Sequence, residues 1–233
     1  MSQKKQTMKK LLSLFPRTFS EELGIDLASC REKEIFKWFL ASLLFGARIS
    51  SKIARKTYKQ FETRGLVTPE AFQKAVWNKL VEVLDEGGYA RYDYKTADML
   101  LDITKQLQDQ YDGEILNLIE KAANYKELEK RLEEFKGVGP VTVNIFLREL
   151  RDVWPKADPP LQKSVIRAAW HLKLIKPDDS RKALEQLKEV WKENKVKGKS
   201  FAHLESALLR FGKDYCTESK CDLRDLEKSA SNS

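Results

Sequence analysis

Residues 135–150 read FKGVGPVTVNIFLREL, in a chain of 233 residues that holds only 10 glycines. Gly137 and Gly139 flank one valine, Val138, and Pro140 follows at once. Helical patterns lie on both sides, over 125–135 and 141–150. Glycine reaches positive φ without steric cost, and without a Cβ it lets another backbone come close. The amides of such a turn stand ahead of a helix N-terminus. Unsatisfied N–H groups and the helix dipole there can hold one phosphate oxygen. Lys136 adds a point charge beside them, and Val141 and Thr142 supply the first amides of the following helix. A grip of this kind reads a nucleic-acid backbone and carries no base information. Pro140 suits the first helical position, where its missing N–H costs nothing. The competing reading is an ordinary tight connection between two helices.

Composition bounds what such a grip could serve. Lys and Arg number 43 against 35 Asp and Glu, a net charge of +8 with an isoelectric point near 9.2. That balance suits a polyanionic partner, and it also suits a mixed-charge surface that leans basic. Three cysteines argue for a reducing compartment and against a disulfide scaffold. No apolar run reaches the ~18 residues that span a membrane. The opening MSQKKQTMKKLLSLF is basic and only briefly apolar, so it reads as a basic arm and not a signal peptide. A cytoplasmic, nucleoid-associated protein is expected.

The elements that must position these groups are helical throughout. Ile35, Phe36, Phe39, Leu40, Leu43 and Leu44 form one apolar face, which predicts a buried helix over 31–47. Serines open a basic helix over 50–63, and Thr68-Pro69 opens one over 69–77, with a short helix over 78–86. Gly87-Gly88 breaks the chain before an amphipathic helix over 92–113. Helices over 114–123 and 125–135 lead to the hairpin. Asp158-Pro159-Pro160 predicts a helix from the aspartate through about Leu174, followed by helices over 180–194 and 200–213. No strand-like alternation and no repeat of fixed period is present. Two helical lobes are expected, with the early helix packed on the C-terminal ones. A basic arm and the start of the first lobe cover 1–30, the hairpin lobe 31–155, a second lobe 156–221 and a polar, frayed tail 222–233.

FKGVGPVTVNIFL resembles the helix-hairpin-helix of the DNA glycosylase superfamily that includes endonuclease III. Further segments resemble that superfamily in its order. These are 35-IFKWFLASLLFGARIS-50, 88-GYARYDYKTADMLLDI-103, 165-VIRAAWHLKLI-175 and 207-ALLRFGKDYC-216. Together they cover about residues 30–221. The resemblance implies an all-α, two-lobed helix-hairpin-helix DNA glycosylase fold.

The resemblance also implies chemistry. A glycosylase flips a nucleotide out of the duplex and cleaves its N-glycosidic bond. A carboxylate supports the oxocarbenium-like charge on the sugar and orients a water. Strand-cleaving members add a hairpin lysine that attacks the sugar carbon as an amine. That lysine's position is Val141 here, so lyase chemistry is not expected. Asp158 is the candidate catalytic carboxylate, yet an ungapped match of 165-VIRAA-169 puts Gln162 at the aspartate's position. Asp158 would then stand one helical turn earlier, so both alternatives remain open. The superfamily's cluster loop needs four cysteines. Cys216 and Cys221 resemble two of them and Cys30 is remote, so no iron–sulfur cluster and no other cofactor is expected. A zinc site on Cys216 and Cys221 would have only His171 and His203 to complete it.

Softer contacts follow. Ala47, Arg48 and Ile49 match the loop that fills the gap left by a flipped base. Arg48 could insert there, bind phosphate or lie on the surface. Tyr89, Tyr92 and Tyr94 could stack on a base or pack on the hairpin. Trp154 could wall a pocket or belong to a core. Lys52, Arg55, Lys56 and Lys59 form a basic face. The expectation is a monomeric, monofunctional base-excision enzyme acting on double-stranded DNA with a damaged or mismatched base. The rivals are a non-catalytic sensor of distorted DNA on the same fold and a helical protein-interaction domain. The sequence does not name the base.

Overall fold

A computed structural model describes residues 2–89, 93–216 and 221. Among these residues every regular element is helical. In chain order they are α1 (Gln3–Leu14), α2 (Phe19–Glu22), a 3-10 turn (Leu27–Ser29), α3 (Glu32–Gly46), α4 (Ser51–Thr63), α5 (Pro69–Lys74) and α6 (Trp77–Gly87). There follow α7 (Asp93–Tyr111), α8 (Ile115–Lys121), α9 (Tyr125–Glu133), α10 (Pro140–Arg148), α11 (Lys163–His171), α12 (Ser180–Asn194) and α13 (Phe201–Asp214). Among the described residues no helix is long and apolar enough to cross a membrane.

Local chemistry sets most boundaries. Ser50 Oγ accepts the Ile53 N–H at 3.2 Å and starts α4, and Thr68 does the same for Ala71 at 3.2 Å ahead of Pro69. Asn124 caps α9 through the Glu127 N–H, and Glu127 reaches back to the Ala123 N–H at 2.8 Å. Gly88, at φ +91°, ends α6 as a left-handed cap that few other residues tolerate.

The chain divides into two units. One is continuous, residues 20–158, and the other joins residues 1–19 to 159–233. The division therefore falls at 158/159, three residues beyond the boundary expected from sequence, and the first 19 residues belong with the C-terminal helices. The central unit is built on α3. Phe39 meets Phe146 edge-on at 5.2 Å and Phe135 at 5.9 Å, while Phe61 and Phe72 pack at 5.4 Å. Buried aromatic pairs of this kind add about 0.5–1.5 kcal/mol each beyond their area. Trp38 Nε1 donates to the Phe146 carbonyl at 3.0 Å, which ties α3 to α10. Glu32 at the start of α3 accepts the Ile115 and Leu116 N–H groups at 3.0 and 2.9 Å, capping α8.

The terminal unit packs α1 with α11, α12 and α13. Met8, Leu11 and Leu12 of α1 are buried with Leu187, Trp191, Leu204 and Leu208. The opening expected as a basic arm is thus a helix with a buried face. Gly212 brings α13 against α11, since a Cβ there would stand 2.8 Å from the Ser164 carbonyl carbon.

Two further expectations are corrected. The helix predicted from Asp158 begins at Lys163, with Gln162 as its N-cap at φ −73°, ψ 150°. A residue before proline is pushed out of the α region, so Asp158 and Pro159 are both held extended and the helix nucleates beyond them. Three cysteines argue for a reducing compartment and against a disulfide scaffold, yet the structure joins one local pair, Cys216 and Cys221, with Cα atoms 4.5 Å apart, while Cys30 is free and exposed. The polar tail expected over 222–233 lies outside the described residues.

Candidate functional site

The hairpin joins α9 to α10 through residues 134–139, within the central unit. Leu132 and Leu128 are buried and anchor α9 beneath it, and Phe135 is buried directly before the turn. The Val138 N–H returns to the Phe135 carbonyl at 3.0 Å and closes the turn. Val138 itself is buried, so it holds the turn down while the glycines lie at its surface. Gly137 sits at φ +85°, where an L side chain is strained, and a Cβ there would overlap the Met99 sulfur. Gly139 differs. Its φ is −122°, its surroundings are open, and its carbonyl accepts the Val143 N–H at 3.0 Å as the N-cap of α10.

The N-terminus of α10 has no side-chain cap. Glycine at the cap and proline at the first position supply no hydroxyl or carboxylate to the first-turn amides. Thr142 sits on that turn, but its side chain is 5% exposed and lies against Gly46 at the end of α3. A Cβ on Gly46 would overlap Thr142 Oγ1 and approach its Cα to 3.3 Å. The glycine therefore allows α3 and α10 to touch where both elements reach the site. Val141 is 59% exposed on the same turn.

One cavity of about 520 Å³ collects much of this chemistry. Gly46, Ala47 and Arg48 line it from the end of α3, Lys136, Gly137 and Thr142 from the hairpin, and Tyr89, Lys95 and Met99 from the segment around the start of α7. The structure thus brings Arg48 next to the hairpin residues, although Lys136 lies 88 positions further along the chain. Arg48, Lys95 and Lys136 give the cavity a cationic lining with one carboxylate, Asp98. Lys136 Nζ lies 3.2 Å from Asp102, an exposed pair of the kind worth at most about 1 kcal/mol. Sequence reasoning passed over Lys95 and Met99. The segment 88–103 carried the signal for Lys95, but its register gave no neighbour for Met99.

Other predicted contacts fall in varied places. Tyr89 is buried and lines the cavity, Tyr94 is exposed, and Tyr92 lies outside the described residues. On α4, Arg55 pairs with Glu22 at 2.9 Å and Lys59 with Glu62 at 2.5 Å, while Lys52 and Lys56 are exposed. Trp154 is half-buried and accepts the Ala157 N–H on its carbonyl at 2.9 Å.

Asp158 closes the loop after α10. Its Oδ1 accepts from Arg151 Nη1 at 2.7 Å, with the two side chains 26% and 4% exposed. Gln162 belongs to the terminal unit, where it caps α11 without a side-chain bond to the helix. The cysteines do not fit a four-thiolate cluster, since Cys216 and Cys221 are bonded to each other. No three His, Cys, Asp or Glu side chains gather as a metal set among the described residues. His203 completes a capping box with Ser200, and His171 packs edge-on against Trp170 at 4.7 Å.

The sequence matches no protein-family model and no curated protein sequence. Its structure is similar to H. pylori 3-methyladenine DNA glycosylase (MagIII) bound to 1,N6-ethenoadenine, with TM-score 0.56 and 14% identity over 97% of this chain and 98% of that one. It is also similar to endonuclease III in a trapped covalent DNA intermediate, with TM-score 0.47 and 18% identity over 94% of this chain and 91% of that one. A glycine hairpin between two helices, in an all-helical chain matched along nearly its whole length to MagIII, identifies the fold as that of the helix-hairpin-helix DNA glycosylases.

Proposed function

We propose that the protein is a monofunctional base-excision DNA glycosylase. It binds double-stranded DNA, turns a damaged or mismatched base out of the helix and hydrolyses its N-glycosidic bond. The observation that carries this reading is the convergence of Arg48, Lys136, Gly137 and Thr142 on one cavity beside an uncapped helix N-terminus. An uncapped first turn with a glycine N-cap fits a phosphate oxygen, and the three cations supply the sequence-independent attraction.

Asp158 is the group assigned to the chemistry. As the base departs, the sugar gains positive charge. The carboxylate supports that charge and orients a water, whose oxygen bonds to the sugar carbon while its proton leaves with the base. Arg151 is the positioning residue, holding the carboxylate through a 2.7 Å bond from a buried guanidinium. Val141 presents an alkyl group where a strand-cleaving enzyme would present an amine, so the product is an abasic site in an uncut strand. A monomer in the cytoplasm, associated with the nucleoid, fits a basic protein of this kind.

A second reading rests on the same ion pair. If Asp158 serves only to neutralise Arg151, the protein is a non-catalytic sensor of distorted DNA. The experiment is an excision assay on duplexes carrying alkylated adenine, uracil, 8-oxoguanine or a thymine mismatch, with wild type beside Asp158→Asn. Base release by the wild type alone, with no borohydride-trapped adduct, supports the glycosylase. Tight binding without release from any duplex supports the sensor.

A further inference from the structure

Six large apolar side chains stand exposed among the described residues; Val76 and Trp77 are consecutive, and Tyr94 lies against Trp77. The Trp77 and Tyr94 rings are stacked, with centroids 5.4 Å apart and planes 23° from parallel. Trp77 Nε1 donates to Asp98 Oδ1 at 2.8 Å, which fixes the indole from one edge. Tyr94 is 61% exposed, so only part of its ring is covered by Trp77. Here a carboxylate orients one ring, and the second extends the stack outward.

The pair is continuous with the hairpin cavity. Asp98, which holds Trp77, also lines that cavity, and so does Lys95, the neighbour of Tyr94. Arg48 and Lys136 line it as well. We propose that Trp77 and Tyr94 form a stacking platform for an unpaired nucleobase of the DNA strand running past the hairpin, apart from the base that is excised. The proposal rests on the DNA-binding reading given above and adds a preference for DNA with unpaired bases.

The chemistry fits one planar ring better than a protein surface. Any base can stack on an aromatic face, so the contact needs no sequence. Tyr and Trp have two side-chain torsions each, so little freedom is lost when a base lands. The Trp77 hydrogen bond removes part of that cost beforehand. Lys95, next to Tyr94 in sequence, lines the adjoining cavity and supplies a cation for the strand's phosphates. The flanking surface is charged, with Lys74 bonded to Glu70 and Lys79 to Glu82 at 3.1 Å. A stable protein interface covers about 800 Å² per partner, which three side chains within such a border do not supply.

The test uses the full chain and two DNAs of equal length. One is fully paired, and the other carries a three-nucleotide single-stranded gap with 2-aminopurine at its centre. Wild type should quench the 2-aminopurine and bind the gapped DNA more tightly. Tyr94→Ala should lose the quenching and bind gapped DNA roughly 5- to 100-fold more weakly, while affinity for paired DNA changes less than twofold. Tyr94→Phe should retain both properties. Tyr94 is exposed, so Tyr94→Ala should fold, and an unchanged melting curve checks this. Equal weakening on both DNAs, or quenching retained in Tyr94→Ala, overturns the platform. Normal paired-DNA binding without quenching by wild type also overturns it and leaves the patch to a protein partner. Failure of wild type to bind either DNA overturns the DNA-binding reading, and the platform with it.

Discussion

Arg151 Nη1 donates a 2.7 Å hydrogen bond to Asp158 Oδ1, and the guanidinium side of that pair is almost wholly buried. Removing the acceptor from a buried cation costs far more than an exposed ion pair returns. Asp158→Asn keeps a carbonyl oxygen in the acceptor position and loses only the charge. It should abolish base release while lowering unfolding free energy by about 1–2 kcal/mol, discounted for the partly exposed carboxylate. Asp158→Ala should cost more stability, since the Arg151 Nη1 hydrogen bond loses its Asp158 acceptor altogether. Arg151→Met keeps the carboxylate but removes the 2.7 Å bond that orients it, so kcat should fall with little change in DNA affinity. Single-turnover excision and urea unfolding on the same preparations separate these effects.

Gly46→Ala should be destabilising by about 1–3 kcal/mol, because its Cβ would occupy the space of Thr142 Oγ1 in a packed helix crossing. Thr142→Ala removes that oxygen. The double variant should therefore be more stable than the sum of the two single losses, by the coupling seen in a double-mutant cycle of chemical denaturation.

The two hairpin glycines should separate stability from binding. Gly137→Ala places a side chain at φ +85° and against Met99, so it should lower the melting temperature. Gly139→Ala meets no atom of this chain within 4 Å, and φ −122° is open to alanine. It should melt like wild type yet bind DNA more weakly, because the methyl would stand where a phosphate approaches. The salt dependence of its affinity should be shallower by about one phosphate contact, measured as log Kd against log salt.

Acid stability should carry two opposed signatures on neighbouring residues. Burial pushes Glu34 up, but the Lys37 ammonium at 2.8 Å, the Asp26 N–H at 3.0 Å and the nearby Arg31 charge outweigh it and hold Glu34 below its ordinary 4.5. Its stabilisation is complete above about pH 4.5 and is lost as pH falls through the depressed value. Burial raises Glu32 above 4.5 despite the Leu116 and Ile115 N–H groups, so stability is regained as pH falls through that raised value. Unfolding free energy against pH should be flatter below 4.5 in Glu34→Gln. In Glu32→Gln it should be flatter just above 4.5.

Signals contained within a few residues were legible in the sequence. Thr68-Pro69, Gly88 and Pro140 end or begin helices through their own backbone chemistry, and each stands where its type predicts. The all-helical fold and the hairpin followed from such signals. Asp158 misled because aspartate is a good cap, while the two prolines after it hold the chain extended until Lys163. The first helix misled because its buried face is three residues, Met8, Leu11 and Leu12, whose partners lie more than 150 positions away. The cavity gathers residues from 43–48, 89–99 and 136–142, and no local pattern announces that gathering. Gly46 gave no sign of its part, since a glycine near a helix end usually marks only the end.

One unit of this protein is made from both ends of the chain, with α1 packed on α12 and α13. On a ribosome the apolar face of α1 emerges about 200 residues ahead of the helices that cover it. At ~5–20 residues per second that is a wait of roughly 10–40 s. Over that interval the central unit has all of its own residues and can fold, while Met8, Leu11 and Leu12 remain open to water, to chaperones or to other nascent chains. Synthesis order therefore leaves the apolar face of α1 waiting for α12 and α13, which are made only after the whole central unit.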